Sequence, residues 1–368
     1  MHKKTYFITG GGTGGHIYPA IAVGDTLLEL GEAKKIYYIG NPDNLEANIV
    51  KDKNFTFLPV KSSGMPRKAC LKIISWAVSM FFAWLRCCFY IAKYKPDVIF
   101  ATGGYVSAPV LFAGLTMRIP YVLHDCDANP GLVSRKLAPY ANSISVAFDA
   151  ACKKLNNPNC YINGNPIRKE FKTLDKKTAR KNLNLDDKIT VAIIGGSQGA
   201  KKINNSAVEI LKTLTQDFDV QVIFQTGSKN FEEVSEKLKN IYPGYENDKN
   251  LIIKPYFNNM VEVLKSSDIA LSRAGSLSIS ELCASKVGTI FIPYPYAAAD
   301  HQRKNARFMS DCGAGLYLED EDTTPQMLLE LLKSLISDKE KLSELQNHAL
   351  ELAVYDGAER IVKQIMEV

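Results

Sequence analysis

At 368 residues the chain is too long for one compact core and comfortable as two domains of ordinary size. A composition of 46% hydrophobic and 23% charged residues excludes a disordered or fibrous chain. A net charge of +6 is too mild for a nucleic-acid binder and suits an acidic small ligand or an anionic membrane surface. Residues 1–4 lead straight into a strand-like run at 5–9, which leaves no room for a secretory signal and predicts a cytoplasmic protein. A glycine-rich turn follows, Gly10-Gly11-Gly12-Thr13-Gly14-Gly15-His16, and then a helix-like run. Further strand-like runs at 35–39, 55–60, 97–101, 120–123 and 143–147 complete the first half. The eight cysteines show no CxxC or zinc spacing and several fall in apolar runs, so packed thiols in a reducing compartment are expected.

Residues 73–91 are long enough to span a bilayer and carry Arg86 as their only charge. Spanning would separate the strand at 5–9 from that at 97–101, and the flanks are basic at both ends (Arg67, Lys68 and Lys72; Lys93 and Lys95), so no charge asymmetry favours it. A buried crossover helix needs only one apolar face, and this segment is apolar nearly all round. The preferred reading is a helix with one face on the sheet and the other, drawn from Trp76, Phe81, Phe82, Trp84 and Phe89, on lipid.

The lysine-rich stretch 170–188, after Gly164-Asn165-Pro166, is the candidate linker. Beyond it the rhythm restarts: a strand-like run at 189–194, the turn Gly195-Gly196-Ser197-Gln198-Gly199-Ala200, and further runs at 220–225, 251–253, 268–271, 288–292 and 315–318. The segment 325–368 reads as amphipathic helices. Two parallel sheets, each opening with a glycine turn at a helix N-terminus, form the α/β expectation, with a ligand held between the halves.

Gly10-x-Gly12-x-x-Gly15 satisfies a dinucleotide fingerprint formally, but no convincing acidic ribose ligand follows it; Glu29 and Glu32 read as solvated helix-end residues. His16, at the mouth of a helix, offers either a general base or a capping and packing role, and the local sequence does not choose between them. The run Ser276–Glu281 opens a helix with hydroxyls and free N–H groups suited to a diphosphate, with Glu281 placed for ribose hydroxyls or as an ordinary helix-start acid. Asp300-His301-Gln302 falls at the carboxyl edge of a strand, where Asp300 suits a helix cap and Gln302 a sugar hydroxyl. Asp125-Cys126-Asp127 is a short DxD, the weaker candidate for a divalent cation, and 319–322 reads as a solvated acidic turn.

Six segments in order resemble the bacterial glycosyltransferases that add N-acetylglucosamine to undecaprenyl-linked muramyl-pentapeptide, forming the lipid II precursor of peptidoglycan. They are Gly11–Ile17, Gly103-Gly104-Tyr105-Val106-Ser107, Gly164-Asn165-Pro166-Ile167-Arg168, Gly195–Ala200 with Asn204, Gly275–Glu281, and Asp300-His301-Gln302 with Asn305-Ala306. The resemblance implies a GT-B fold, two Rossmann-like domains facing a central cleft. The amino-terminal domain (1–163, rejoined by a terminal helix at 356–368) would take the lipid acceptor, and residues 164–355 the UDP-N-acetylglucosamine donor.

The resemblance further implies inversion from an α-linked donor to a β-1,4 product with no catalytic metal or other cofactor, and makes His16 the candidate base. Donor contacts would fall on Thr13, Gly14, Gly15, Arg168, Ser197, the Phe257 backbone, Ser276, Leu277, Ser278, Ile279, Ser280, Glu281 and Gln302. Where the family often has His-Glu-Gln-Asn, this chain has His124-Asp125-Cys126-Asp127, so the sugar contact falls on Asp127, with Asn129 as a substitute, and His124 is equally a structural residue. The expected partners are the donor, the undecaprenyl-linked muramyl-pentapeptide, an anionic membrane surface at the cytoplasmic face of the inner membrane and other cell-wall synthesis proteins, with no nucleic acid. The alternative is another GT-B enzyme of UDP-sugars, a diacylglycerol glucosyltransferase or a UDP-N-acetylglucosamine 2-epimerase.

Overall fold

A computed structural model describes residues 3–66, 72–196, 198–297 and 300–368. The chain divides into two compact units, residues 1–168 with 354–368 and residues 169–353. The first boundary, expected at 163/164, thus falls at 168/169.

The first unit runs β1 (Lys4–Thr9), α1 (Gly14–Glu29), β2 (Ala33–Gly40), α2 (Leu45–Ile49), β3 (Thr56–Pro59), α3 (Lys72–Tyr94), β4 (Val98–Ala101), α4 (Ser107–Met117), β5 (Tyr121–Asp125), α5 (Leu132–Leu137), β6 (Ser143–Val146), α6 (Asp149–Leu155) and β7 (Cys160–Ile162). Its sheet is wholly parallel, in the order β3-β2-β1-β4-β5-β6-β7. Such a sheet must be covered on both faces, and alternate residues of each strand supply two cores. Phe7, Ile39, Ile99 and Leu123 face a cluster that takes in α3 and α4, while Tyr6, Ile8, Tyr38 and Phe100 face one built with α1. The last helix of the chain, Gly357–Met366, packs on α1 and buries Ile361, Val362 and Ile365 on that second face.

The second unit runs α7 (Glu170–Thr173), α8 (Lys176–Asn182), β8 (Ile189–Ile194), α9 (Lys201–Asp217), β9 (Val220–Gln225), α10 (Phe231–Ile241), β10 (Leu251–Lys254), α11 (Met260–Ser266), β11 (Ile269–Ser272), α12 (Ser276–Ala284), β12 (Gly288–Phe291), α13 (His301–Asp311), β13 (Leu316–Tyr317), α14 (Pro325–Ser337) and α15 (Lys339–Glu351); the terminal helix is α16. Its parallel sheet has the order β10-β9-β8-β11-β12-β13. In both sheets the order reverses beside the first strand, between β1 and β4 and between β8 and β11, so each unit has its own switch-point crevice at the carboxyl ends of those strands.

Three expectations are corrected. The stretch 170–188 is not a free linker: it holds α7 and α8, and Asp268 at the foot of β11 receives Arg180 at 2.8 Å, the Thr190 N–H at 2.8 Å and the Lys176 ammonium. β7 went unread because it is a three-residue edge strand with Tyr161 and Ile162 exposed. The thiols are not all unpaired either, since Cys152 on α6 and Cys160 on β7 form a disulfide.

α3 lies on the sheet by one face only. Ala83, Cys87, Tyr90 and Ile91 are buried, whereas Ile74, Val78, Phe81, Phe82, Leu85 and Phe89 are exposed, Phe82 by 63%. Trp76 and Trp84 are half-covered, their indole N–H groups donating to the Ser63 carbonyl at 2.9 Å and to Thr116 Oγ1 at 3.3 Å. Arg86 stacks on Tyr90 and donates to its hydroxyl at 2.9 Å. The helix is long and apolar enough to cross a membrane. However, β3 before it and β4 after it are strands of one sheet, which a spanning helix would place on opposite sides of the bilayer. The basic residues Arg67 and Lys68 lie outside the described residues.

Candidate active site

In the first unit, β1 ends at Thr9 and the chain turns through the glycines into α1. Tyr38 donates to the Gly10 carbonyl at 2.5 Å, and the fully buried Glu46 accepts from the N–H of Gly12 at 3.3 Å and of Asn41 at 3.1 Å. This part of the loop is thus closed by protein groups rather than held open for an anion. Thr13 precedes α1, and Gly14 and Gly15 form its start, where N–H groups have no helical acceptor. His16 sits in that first turn with its ring Nδ1 2.8 Å from the Thr102 carbonyl oxygen, at the end of β4. A carbonyl can only accept, so Nδ1 carries the hydrogen and the neutral ring keeps its lone pair on Nε2.

The DxD segment comes to the same place. Cys126 donates its thiol to the Gly15 carbonyl at 3.2 Å, which brings Asp127 beside the glycine loop. Asp125 is buried, and its two carboxylate oxygens accept from the N–H groups of Asp127 at 3.1 Å and Gly131 at 3.2 Å, with Ser134 as a further partner. Burial pushes this carboxyl above its usual value against the pull of those hydrogen bonds. Its role is to fix the 125–131 loop, and it is not turned outward with Asp127 as a chelating pair. Asn129 is engaged by Lys154, whose ammonium lies 3.2 Å from its Oδ1. Arg168 stacks its guanidinium over Tyr18 of α1 at 4.8 Å. His124 is structural: fully buried, it contacts Ser145 Oγ at 3.0 Å and Asn165 Oδ1 at 3.4 Å, and burial pulls its pKa down to about 4.

In the second unit the groups expected to meet a donor sit on loops at the carboxyl ends of the strands. α12 starts directly after β11, with Gly275 at its cap, a residue with no side chain to bond the N-terminal N–H groups. Helical spacing divides the run 276–281: Leu277 and Ile279 turn into the core, while Ser278 and Ser280 are partly open. Ser276 and Glu281 are both nearly buried. Gln302 on α13 spends its Oε1 on the Tyr294 N–H at 3.0 Å, which points its amide N–H groups elsewhere. The Phe257 N–H donates to Gln225 Oε1 at 2.9 Å, so a base meeting this backbone would find the carbonyl. Ser197 lies outside the described residues.

Two features of this unit differ from expectation. Asp300 occupies the position before α13 in a left-handed conformation (φ 56°) and its side chain does not cap the helix. Within the acidic turn only Glu321 and Asp322 are solvated; Asp320 pairs with Arg273 at 2.6 Å and Glu319 with Arg303 at 3.2 Å.

The two units match two halves of one family. Residues 6–146 match the glycosyltransferase family 28 N-terminal domain and residues 190–361 its C-terminal domain. A UDP-N-acetylglucosamine–N-acetylmuramyl-(pentapeptide) pyrophosphoryl-undecaprenol N-acetylglucosamine transferase of Desulforamulus reducens is 35% identical over 98% of both chains. The chain belongs to glycosyltransferase family 28.

Solved structures show the GT-B fold of this family 28 glycosyltransferase: the Acinetobacter baumannii MurG crystal structure matches all of both chains with a TM-score of 0.73 at 24% identity. A Listeria monocytogenes protein described as a UDP-N-acetylglucosamine 2-epimerase matches with a TM-score of 0.72 at 15% identity, over 100% of this chain and 96% of that one. Fold alone therefore does not separate transfer from epimerisation.

Sequence reasoning missed the residues that hold the family 28 site in place. Thr102 and Glu46 reach the glycine loop from 86 and 34 residues away. Gln225, at the end of β9, ties the second glycine turn to residue 257 by donating to the Gly196 carbonyl at 3.2 Å. The only sequence signal for them was position: each lies at the carboxyl end of a strand or on the helix after one.

Proposed function

We propose that the enzyme transfers N-acetylglucosamine from UDP-N-acetylglucosamine to the 4-hydroxyl of the muramyl sugar of undecaprenyl-diphospho-muramoylpentapeptide, with inversion. The full-length similarity to a transferase named for these substrates supports the substrate pair. The observation that carries the chemistry is the His16 ring, with Nδ1 bonded to a carbonyl and Nε2 left as the proton acceptor.

In the reaction the acceptor oxygen attacks the anomeric carbon, the bond from that carbon to the UDP phosphate oxygen breaks, and the hydroxyl proton passes to His16 Nε2. The charge that develops on the diphosphate is met by the α12 N-terminus and the hydroxyls of Ser278 and Ser280. With that positive end available and Asp125 committed to its own loop, the reaction is proposed to run without a metal. Thr13, Gly14, Gly15, Asp127 and Arg168 in the first unit, and Ser197, Phe257, Ser276, Leu277, Ile279, Glu281 and Gln302 in the second, are proposed as further donor contacts, Leu277 and Ile279 through backbone only.

The exposed apolar face of α3 supports a membrane-surface place of work for such an enzyme. Phe81, Phe82 and Phe89, with Phe112 and Met117 of the neighbouring α4, form an outward apolar surface flanked by Lys72, Lys93, Lys95 and Arg118. We propose that this face docks on an anionic bilayer, peripherally at the cytoplasmic face of the inner membrane, where a polyprenyl-linked acceptor would reside.

The test is UDP release and sugar transfer by purified protein, with and without the lipid-linked acceptor and with and without chelator. Acceptor-dependent, chelator-resistant release supports the reading. Conversion of UDP-N-acetylglucosamine to its 2-epimer without acceptor would replace it with the epimerase alternative, and transfer from UDP-glucose to diacylglycerol with the lipid glucosyltransferase one.

A further inference from the structure

His16 is held from two sides by one residue. The Thr102 carbonyl lies 2.8 Å from the ring Nδ1, and the Thr102 hydroxyl donates to the His16 carbonyl oxygen at 2.6 Å. Thr102 is fully buried just past β4, the strand that pairs with β1, so the clamp is anchored in the sheet rather than in a loop. The glycines around it leave room for it. A Cβ at Gly10 would overlap Thr102 Oγ1, and one at Gly104, whose φ is +77°, would stand 3.2 Å from His16 Cδ2 and 2.6 Å from the Gly11 carbonyl oxygen. These two glycines of two separate turns thus make space for the clamp and the ring.

We propose that Thr102 is a positioning residue for the transfer reaction. Its carbonyl fixes the Nδ1–H tautomer of His16, and its hydroxyl pins the first turn of α1, so that Nε2 is presented with its lone pair free and in one orientation. The inference rests on the reading of His16 as the base. The hydroxyl has one hydrogen and two carbonyl neighbours, at 2.6 Å on His16 and 3.5 Å on Thr9; the shorter contact is the bond that matters. Losing it would free the turn that carries the ring, and a misplacement of about 1 Å costs on the order of 100-fold in rate.

The experiment uses the full chain with nitrogen-labelled histidine, and compares the wild type with Thr102→Val, Thr102→Ser and His16→Gln. Two-dimensional spectra of the imidazole nitrogens identify His16 by the signal lost in His16→Gln. The expected result is an Nδ1–H tautomer in the wild type. Thr102→Val should lower kcat about 10- to 100-fold with both KM values within about twofold, while Thr102→Ser keeps most of the activity. In the His16→Gln background, Thr102→Val should have no further effect.

An Nε2–H tautomer in the wild type would overturn the proposal. So would a Thr102→Val penalty of equal size with and without His16, which would mark a merely structural threonine. If His16→Gln leaves kcat intact, the base reading falls by itself, and the tautomer spectrum still decides whether Thr102 holds the ring as inferred.

Discussion

His16 and His124 stand at the same edge of the same sheet and have opposite chemistry. His16 lies just past β1 in a half-open turn, with one ring nitrogen bonded to a carbonyl and the other left over. His124 is the fourth residue of β5, fully buried, with partners at both nitrogens. It also heads a polar chain: Ser145 Oγ accepts from Asn163 at 3.1 Å, and Asn163 donates to Gln364 of α16 at 2.8 Å. One histidine therefore has a nitrogen to offer a substrate, and the other spends one on the chain that reaches the terminal helix and one on Asn165. The imidazole is the same; a few residues of displacement along the strand direction decide which task it takes.

The largest effect that would break or sharpen this contrast is on turnover. His16→Ala should reduce kcat about 1000-fold, the loss of a general base, with donor KM nearly unchanged and thermal stability intact. Steady-state kinetics beside a melting curve would check it; equal losses in kcat and donor affinity would move His16 to a binding role.

Next comes pH-dependent stability, to which the buried His124 contributes. Its folded pKa of about 4 lies below the ordinary 6.5, so the unfolded chain takes up this proton first as pH falls. The contribution is fully present above about pH 6.5 and is lost progressively down to about pH 4, amounting to about 3 kcal/mol. Denaturant titrations at pH 7 and pH 4.5 should show that share of the decline disappear in His124→Leu. A decline unchanged by the substitution would remove His124 from the account.

Smaller effects should leave both histidine signatures untouched. Replacing Phe81 and Phe82 together by serine should weaken binding to anionic vesicles about 30-fold, corresponding to about 2 kcal/mol of apolar burial, without altering turnover on a short-chain soluble acceptor. Sedimentation with vesicles measures the first and initial rates the second. Gln302→Ala should raise donor KM about tenfold if, as proposed, its amide N–H groups bond the donor sugar, leaving kcat near wild type.

Much of this architecture was legible in the residues because central parallel strands, covered on both faces, read as continuous apolar runs such as 191–194 and 222–224. β7 escaped because an exposed edge strand of three residues carries no such run. α7 and α8 escaped because their lysine-rich composition hides anchors that arrive from elsewhere, Asp268 being 92 residues from Lys176. The glycine turns and His16 were visible as motifs, while the groups that decide their chemistry were not. Whether His16 is a base or a cap depends on a carbonyl 86 residues away, and whether Asp125 chelates or closes a loop depends on the backbone of Gly131. Cys152 and Cys160 become a pair only when α6 folds back against β7.

The central claim is a single in-line displacement assisted by a base on the acceptor hydroxyl. Its most direct test is the anomeric configuration of the transferred N-acetylglucosamine, read by proton NMR on product made by the purified enzyme. A β-linkage from the α-linked donor is the predicted result; an α-linkage would contradict the displacement and leave the free nitrogen of His16 without its assigned task.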